Sequence, residues 1–359
     1  MSRALSIAAA VMAQLLGCFF ILSALGKFVS IEEFNVYVYS FGWFPWPLAV
    51  MVGWFAITAE LILGLLLLLN RHRRFTYLAA ILVTLGFSLF LLVAHFLGRT
   101  DSCHCMGELL SMNPLRSLLK NAILVLLLLL SWKYGKPDWR PRWWLVLPMV
   151  ALPFGIIVLA GFRGWIRMNF FDLQYSGTLI GCVAAAGVLG SFAFSRRWWV
   201  QLLLALVPLV AVFVLSAAAN LLNIDSSTTD YDSSVLEEMQ AGVLKPYNNG
   251  HRIVAFYSVG CTYCQKAEEK LSLMQKRNDL PQSAFVTVFG GDTTGRMDRF
   301  YSSPYAVRYT TEVVEVEQFL RLTRGRFPLI MLMDNGQVKE VYSSSSISEQ
   351  GMVKFLKDE

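Results

Sequence analysis

Val259-Gly260-Cys261-Thr262-Tyr263-Cys264-Gln265 is the stretch whose reading decides this chain. It follows an apolar run, Ile253 to Tyr257, and opens an amphipathic pattern that continues from Gln265 to Arg277. Strand, C-x-x-C and helix in that order put the first sulfur at a helix N-terminus. There the free N–H groups and the positive end of the helix dipole favour thiolate over thiol. Cys264 comes one turn later, within reach of a mixed disulfide on Cys261. The chemistry implied is thiol–disulfide exchange, with Cys261 attacking and Cys264 resolving. A lone C-x-x-C can otherwise be half a zinc site or a structural bridge. No second C-x-x-C or Cys/His pair follows downstream to complete a zinc site.

The rest of the chain is of another character. A soluble domain carries about 25% charged residues. This chain of 359 residues carries 16%, with 55% hydrophobic content and a mean hydropathy of +0.51. The first two thirds is apolar with basic clusters, and the last third reads as soluble. The net charge of +6 comes from those clusters flanking apolar runs. No basic stripe with interleaved aromatics appears, so nucleic acid is not an expected partner. The six cysteines, Cys18, Cys103, Cys105, Cys182, Cys261 and Cys264, form two close pairs and two singletons in apolar runs. That is not a disulfide scaffold.

Hydropathy predicts an α-helical multi-pass membrane bundle of about seven spans. They run Leu5–Phe28, Pro47–Leu69, Phe75–Leu97, Leu115–Trp132, Trp143–Phe162, Gly177–Phe194 and Trp198–Leu222. The fifth carries Pro148 and Pro153, which are expected to bend it. Glu32, Glu33, Trp43 and Trp46 mark an interfacial loop after the first span. With seven spans, Arg3, Arg71-His72-Arg73-Arg74, Lys133 to Arg142 and Arg196-Arg197 all fall on one side, which the positive-inside rule makes cytoplasmic. The chain is then expected in the inner (cytoplasmic) membrane, N-terminus inside. Cys103, Cys105 and everything after Leu222 are expected on the outer, periplasmic side. Glu60 lies mid-span, where an ionised carboxylate must be protonated or paired; it reads either as a proton relay or as a structural hydrogen bond. His95, near the outer end of the third span, is a candidate local base or an interfacial polar residue. Cys18 and Cys182 read as small buried hydrophobes, with a transmembrane redox pair as the alternative.

Asp101-Ser102-Cys103-His104-Cys105-Met106-Gly107-Glu108 is the second chemical signal. Two thiols spaced C-x-C can close a small, strained and hence labile disulfide ring. Alternatively Cys103, His104 and Cys105, with His95, offer ligands to a soft metal. Ser23-Ala24-Leu25-Gly26-Lys27-Phe28 resembles the first-helix motif of DoxX-like membrane proteins, and Ala59-Glu60-Leu61-Ile62-Leu63-Gly64 their second-helix motif. Cys103-His104-Cys105-Met106-Gly107, followed by Arg116 and Asn121, resembles the C-G-C-F-G motif of the MauE branch, with His104 in place of Gly and Met106 in place of Phe. The resemblance covers residues 5–133. It implies a methylamine-utilisation type of membrane protein that helps form disulfides, with a four-helix core similar to quinone-linked disulfide-forming proteins. No family resemblance is seen for the three spans from Trp143 to Leu222.

The domain plan is therefore a DoxX/MauE-like four-helix domain (1–135), three further transmembrane helices (136–222), a linker (223–232) and an α/β domain (233–359). Within the last, Ser233–Leu244 reads as a helix, Ala284–Phe289 as a strand, Gly290–Arg299 as a loop and Val313–Leu322 as a helix. The stretch Leu329–Val338 reads as a hairpin turned at Asn335-Gly336, and Ser348–Lys357 as a closing helix. This order resembles a thioredoxin-like fold. The resemblance implies that Pro328 is the family's cis-proline, placing the backbone of Phe327 against the C-x-x-C, where a substrate chain can pair. The chain departs from that family in having no Trp before Cys261, Thr262-Tyr263 between the cysteines, and no acid in Ile253–Tyr257 to accept a proton.

The functional expectation is a membrane thiol–disulfide oxidoreductase. Electrons pass between Cys261/Cys264 and Cys103/Cys105, and disulfides form in extracytoplasmic client proteins. A membrane quinone is a possible sink, and protein thiols and the lipid bilayer are the expected partners. The alternatives are a reductive thiol relay and a metal-handling or methylamine dehydrogenase assembly factor using Cys103, His104 and Cys105 as ligands.

Overall fold

The computed structural model describes residues 3–70, 73–99, 102–106, 110, 112–135, 143–163, 199, 233–344 and 346–357. The chain divides into two compact units, Met1–Ala218 and Ala219–Glu359.

In the first unit, α1 (Arg3–Val29), α3 (Trp46–Leu68), α4 (Arg73–Phe96) and α5 (Pro114–Tyr134) are each long enough to cross a bilayer, with the short α2 (Ile31–Tyr39) following α1. Their inward faces meet in one core: Ala13, Leu16 and Phe20 of α1, Leu63 and Leu67 of α3, Tyr77, Ala80 and Ile81 of α4, and Leu124 and Leu128 of α5. The outward faces keep large apolar side chains exposed, among them Leu82, Leu89, Leu119 and Leu126. In water such a surface would aggregate; in lipid it is the expected solvent-facing side. α1 and α3 cross at glycines. A Cβ on Gly64 would lie 2.7 Å from Ile21 Cγ1 and 2.9 Å from Gly17 O, so neither side tolerates a larger residue there. This close crossing brings Lys27 of α1 beside Glu60 of α3. Asn113 caps α5 by accepting the Arg116 N–H at 3.0 Å, with Pro114 in the first turn. At the other end of α5, Arg73 donates to the carbonyls of Ser131 (2.9 Å), Trp132 and Gly135 (2.5 Å), groups a helix end leaves unpaired.

The number of spans is a correction. Among the described residues four helices are long and apolar enough to cross a membrane, not about seven. The fifth run does form a helix, α6 (Trp143–Phe162), with Pro148 and Pro153 inside it. Each proline removes one backbone hydrogen bond from that helix. The expected sixth and seventh spans and the 223–232 linker lie outside the described residues.

The second unit is a five-stranded mixed sheet with helices. Its elements are α7 (Ser233–Ala241), β1 (His251–Tyr257), α8 (Thr262–Arg277), β2 (Phe285–Gly290), α9 (Met297–Phe300), β3 (Thr310–Val314), α10 (Val316–Thr323), β4 (Leu329–Asp334), β5 (Gln337–Tyr342) and α11 (Glu349–Lys357). The strand order is β3-β2-β1-β4-β5, with β1, β2 and β3 parallel and β4 and β5 antiparallel to their neighbours. β1 is central and its last five residues are buried, as a strand covered on both faces must be. Val254 and Phe256 point into a core with Val286, Val288, Met331, Phe319 and Met239. Ile253, Ala255 and Tyr257 point to the other face, where Tyr257 meets Glu268 of α8. Asn335 (φ 47°) and Gly336 (φ 80°) both take positive φ, as a tight two-residue hairpin turn requires. The reading of Val313–Leu322 as one helix is corrected: its start belongs to edge strand β3, and the helix begins at Val316. The expected loop 290–299 also holds the start of the one-turn helix α9.

Candidate functional site

The second unit's site grows from the junction of β1 and α8. Cys261 is the N-cap residue of α8, and its sulfur accepts the Cys264 backbone N–H at 3.2 Å. Cys264 is fully buried, its sulfur accepting the Ser258 N–H at 3.5 Å, whereas Cys261 is partly exposed. The two thiols thus differ in role by position. The Cys264 thiol donates to the Cys261 sulfur and, with the Cys264 and Tyr263 N–H groups, brings its pKa down to about 7. Burial drives the Cys264 thiol the other way. The result is one accessible thiolate backed by one protected thiol. The Phe327–Pro328 bond is cis. Since Leu329 lies opposite Phe256 in the β1/β4 ladder, Pro328 emerges at the same end of the sheet as the C-x-x-C.

An acid missing from β1 is supplied by α8. Glu268 is fully buried, one helical turn past Cys264 and on the same face. Its Oε1 accepts from Ser272 Oγ at 2.9 Å, and Ser272 Oγ also accepts the Val307 N–H at 3.0 Å. Burial raises the carboxyl from 4.5 to about 8. The hydroxyls of Tyr257, Tyr301 and Tyr309 sit in its electrostatic neighbourhood. The strand before the cysteines, Ile253–Tyr257, carries no acid. The available signal was a Glu at i+4 from Cys264 on the apolar side of the helix.

In the first unit Cys103 and Cys105 are buried, at 1% and 6% exposure. They pack with Tyr37 of α2, Leu91 of α4, Phe41, Phe90 and Leu118. Tyr37, Phe41 and Phe90 form an edge-to-face and tilted aromatic cluster, with Arg99 over Phe41 at 4.9 Å. His104 bridges the thiols with φ 47°, the left-handed region that His enters more readily than most side chains and Gly without cost. Cys103 Sγ lies 3.1 Å from Ser117 Oγ. The Cys105 thiol and then Ser117 bring the Cys103 pKa down to about 6, while the neighbouring Cys103 sulfur and burial push Cys105 up.

Cys105 also borders a cleft between the spans of about 390 Å³, its mouth included. The cleft is walled by Phe19, Phe20, Phe87 and Leu124 and carries Lys27, Glu60, Lys120 and Asn121. Lys27 Nζ donates to both Glu60 oxygens, at 2.7 and 2.8 Å, and to Ser23 Oγ at 2.9 Å; Ser23 Oγ donates to the Cys105 carbonyl at 3.3 Å. Glu60 is therefore paired. His95 is exposed, its ring centroid 6.2 Å from that of Phe96, and it does not join the cysteine cluster. Cys18 is buried and its thiol donates to Met149 O at 3.2 Å. Cys182 lies outside the described residues. Among the described residues no group of three His, Cys, Asp or Glu side chains is placed to hold a metal. Tyr37, Ser117, Lys27, Lys120 and Glu268 were not identified as site residues from sequence. They meet the cysteines only through packing.

Residues 5–134 match the family described as methylamine utilisation protein MauE. The N-terminal part is thus a MauE/DoxX-like membrane domain, followed by a distinct α/β domain. The whole chain is similar to Protein TlpB of Flavobacterium psychrophilum, 24% identical over 361 residues, covering 92% of this chain and 89% of that protein. No solved structure matches it.

Proposed function

We propose that this protein is a membrane-tethered thiol–disulfide oxidoreductase whose C-terminal domain is thioredoxin-like. The observation that carries the reading is the asymmetry at the start of α8: a helix-capping, partly exposed Cys261 with its pKa near 7, and a buried Cys264 thiol behind it. The cis Phe327–Pro328 bond at the same sheet end supports it. A client dithiol reduces the Cys261–Cys264 disulfide by exchange through Cys261, and the client leaves oxidised. Cys103/Cys105 then reoxidises the pair. Tethering makes this second exchange intramolecular, at an effective concentration on the order of mM. Because Cys103 and Cys105 are buried, exchange requires their loop to move from beneath Tyr37, Phe41 and Phe90.

For the electron sink we propose a membrane quinone, whose head would meet the mouth of the cleft beside Cys105. Phe19 and Phe87 offer ring faces, and Lys120 and Asn121 offer donors for carbonyl oxygens. When bound, it would supply a two-electron sink. The short basic segments Arg71–Arg74 and Lys133–Arg142 support the reading that the Cys103/Cys105 loop lies outside the cytoplasm. In the test, Cys264→Ser accumulates mixed disulfides with outer-face client proteins and Cys261→Ser accumulates none. The proposal is refuted if neither change alters client redox state, or if an impermeant thiol reagent reaches Cys261 only after cell lysis. No second reading is favoured: the soft-metal alternative lacks a three-ligand cluster among the described residues.

A further inference from the structure

A lysine ammonium between membrane-spanning helices is costly unless an anion or π-face meets it. The cleft beside Cys105 holds two. Lys27 is satisfied, with both Glu60 oxygens and Ser23 Oγ on its ammonium. Lys120, in the second turn of α5, has no carboxylate partner among the described residues. Its ammonium lies 5.7 Å from the Phe19 ring centroid. Among the described residues, the charged and titratable groups facing the cleft are Lys27 from α1, Glu60 from α3, Lys120 from α5 and Cys105 from the loop, with Cys103 beside it; α4 contributes Val83, Thr84 and Phe87. With Lys27 and Glu60 cancelling, the described residues leave one positive charge in the cleft, and of the two neighbouring thiols able to become its anion Cys105 is the one that lines it.

We infer that Lys120 is the counter-ion of the Cys105 thiolate, a positioning residue for exchange at the buried pair. The inference deepens the proposed exchange chemistry and rests on it. When an incoming thiolate attacks Cys103 of the closed pair, a new sulfur–sulfur bond forms to Cys103. The Cys103–Cys105 bond breaks, and its electron pair leaves on Cys105 with no proton transferred. In the reverse direction the Cys105 thiolate is the nucleophile that recloses the ring and expels the partner thiolate. Both directions pass through an anion at Cys105, in a site where water is scarce and burial opposes charge. Lys120 supplies the compensating charge without requiring the Lys27–Glu60 pair to open.

The test uses the full chain in nanodiscs, with Cys105 as the remaining cysteine and the other five replaced by Ser or Ala. The rate of modification by a small uncharged thiol reagent is followed against pH. Lys120→Met should move the midpoint up by about one pH unit and slow the reaction about tenfold below it; Lys120→Arg should restore most of the rate. Removing a charge from an apolar bundle is not expected to unfold it. Identical profiles for the parent and Lys120→Met would overturn the inference, assigning Lys120 to snorkelling at the bilayer surface. So would Lys120→Arg behaving like Lys120→Met. The readout involves neither Cys261 nor a client. A shifted profile without client oxidation therefore sinks the relay and leaves Lys120 standing, and client oxidation with an unshifted profile does the reverse.

Discussion

Glu268→Gln is the perturbation whose size follows most directly from the geometry. The carboxyl is fully buried and burial lifts it from 4.5 to about 8. A group whose folded pKa lies above its unfolded one holds a proton in the native state that the unfolded chain has released. Stability is then fully present below pH 4.5, declines as pH rises, and levels off above about 8. At 1.36 kcal/mol per pKa unit, the loss across that window is roughly 5 kcal/mol, comparable to the whole stability of a modest domain. Gln keeps the volume and the hydrogen bond to Ser272 but cannot ionise, so its curve is expected to be flat where the parent's falls. The assay is amide hydrogen exchange on β1 and α8 in the full chain in detergent, corrected for the intrinsic pH dependence, which reads the opening free energy of that unit alone. Parallel pH slopes for the parent and the Gln variant would refute the argument. A functional corollary follows from the position of Glu268 one turn from Cys264: mixed disulfides at Cys261 should resolve more slowly in the Gln variant, and most visibly above pH 8.

Three further outcomes are expected. Alkylation of Cys261 by a small reagent should reach half its maximal rate near pH 7, well below an ordinary thiol, because Cys264 and two backbone N–H groups stabilise the thiolate; a midpoint near 9 would contradict the capping geometry. Lys27→Met strands Glu60 in the bundle and should cost about 3–5 kcal/mol, whereas Lys27→Met with Glu60→Leu should recover most of that loss. Thermal unfolding in detergent reads both, and additive losses in the double variant would rule out a buried pair. His104→Gly should be tolerated and His104→Val should cost about 1–3 kcal/mol, since a β-branched residue is strained at φ 47°. Equal stability of the two would mean that the loop does not hold that turn in solution.

Much was legible locally. Asn335-Gly336 turns a hairpin because both residues tolerate positive φ, a property of the residues themselves. Asn113-Pro114 starts α5 for the same kind of reason. Trp143–Phe162 folds as one helix with Pro148 and Pro153 inside it, since each proline removes a single backbone hydrogen bond from a long apolar run. Thr310–Val314 merged with the following helix because an edge strand exposes alternate residues without a clear apolar face, and Val313 and Val316 share helical spacing.

By itself the sequence determined the local setting of each cysteine pair. C-x-x-C after a buried strand, C-x-C between two apolar runs, and the positive and negative residues set in apolar helices are statements about neighbours in the chain, where covalent geometry controls separation. Only the tertiary structure decided which distant groups meet them: Glu268 on the face below Cys264, Tyr37 over Cys103, Lys27 on Glu60, and Lys120 in the cleft of Cys105. Those meetings depend on how helices cross, as at Gly17 and Gly64, and on which face a side chain turns inward. Charge and burial act through space, so the roles of these groups depend on packing that no local spacing encodes.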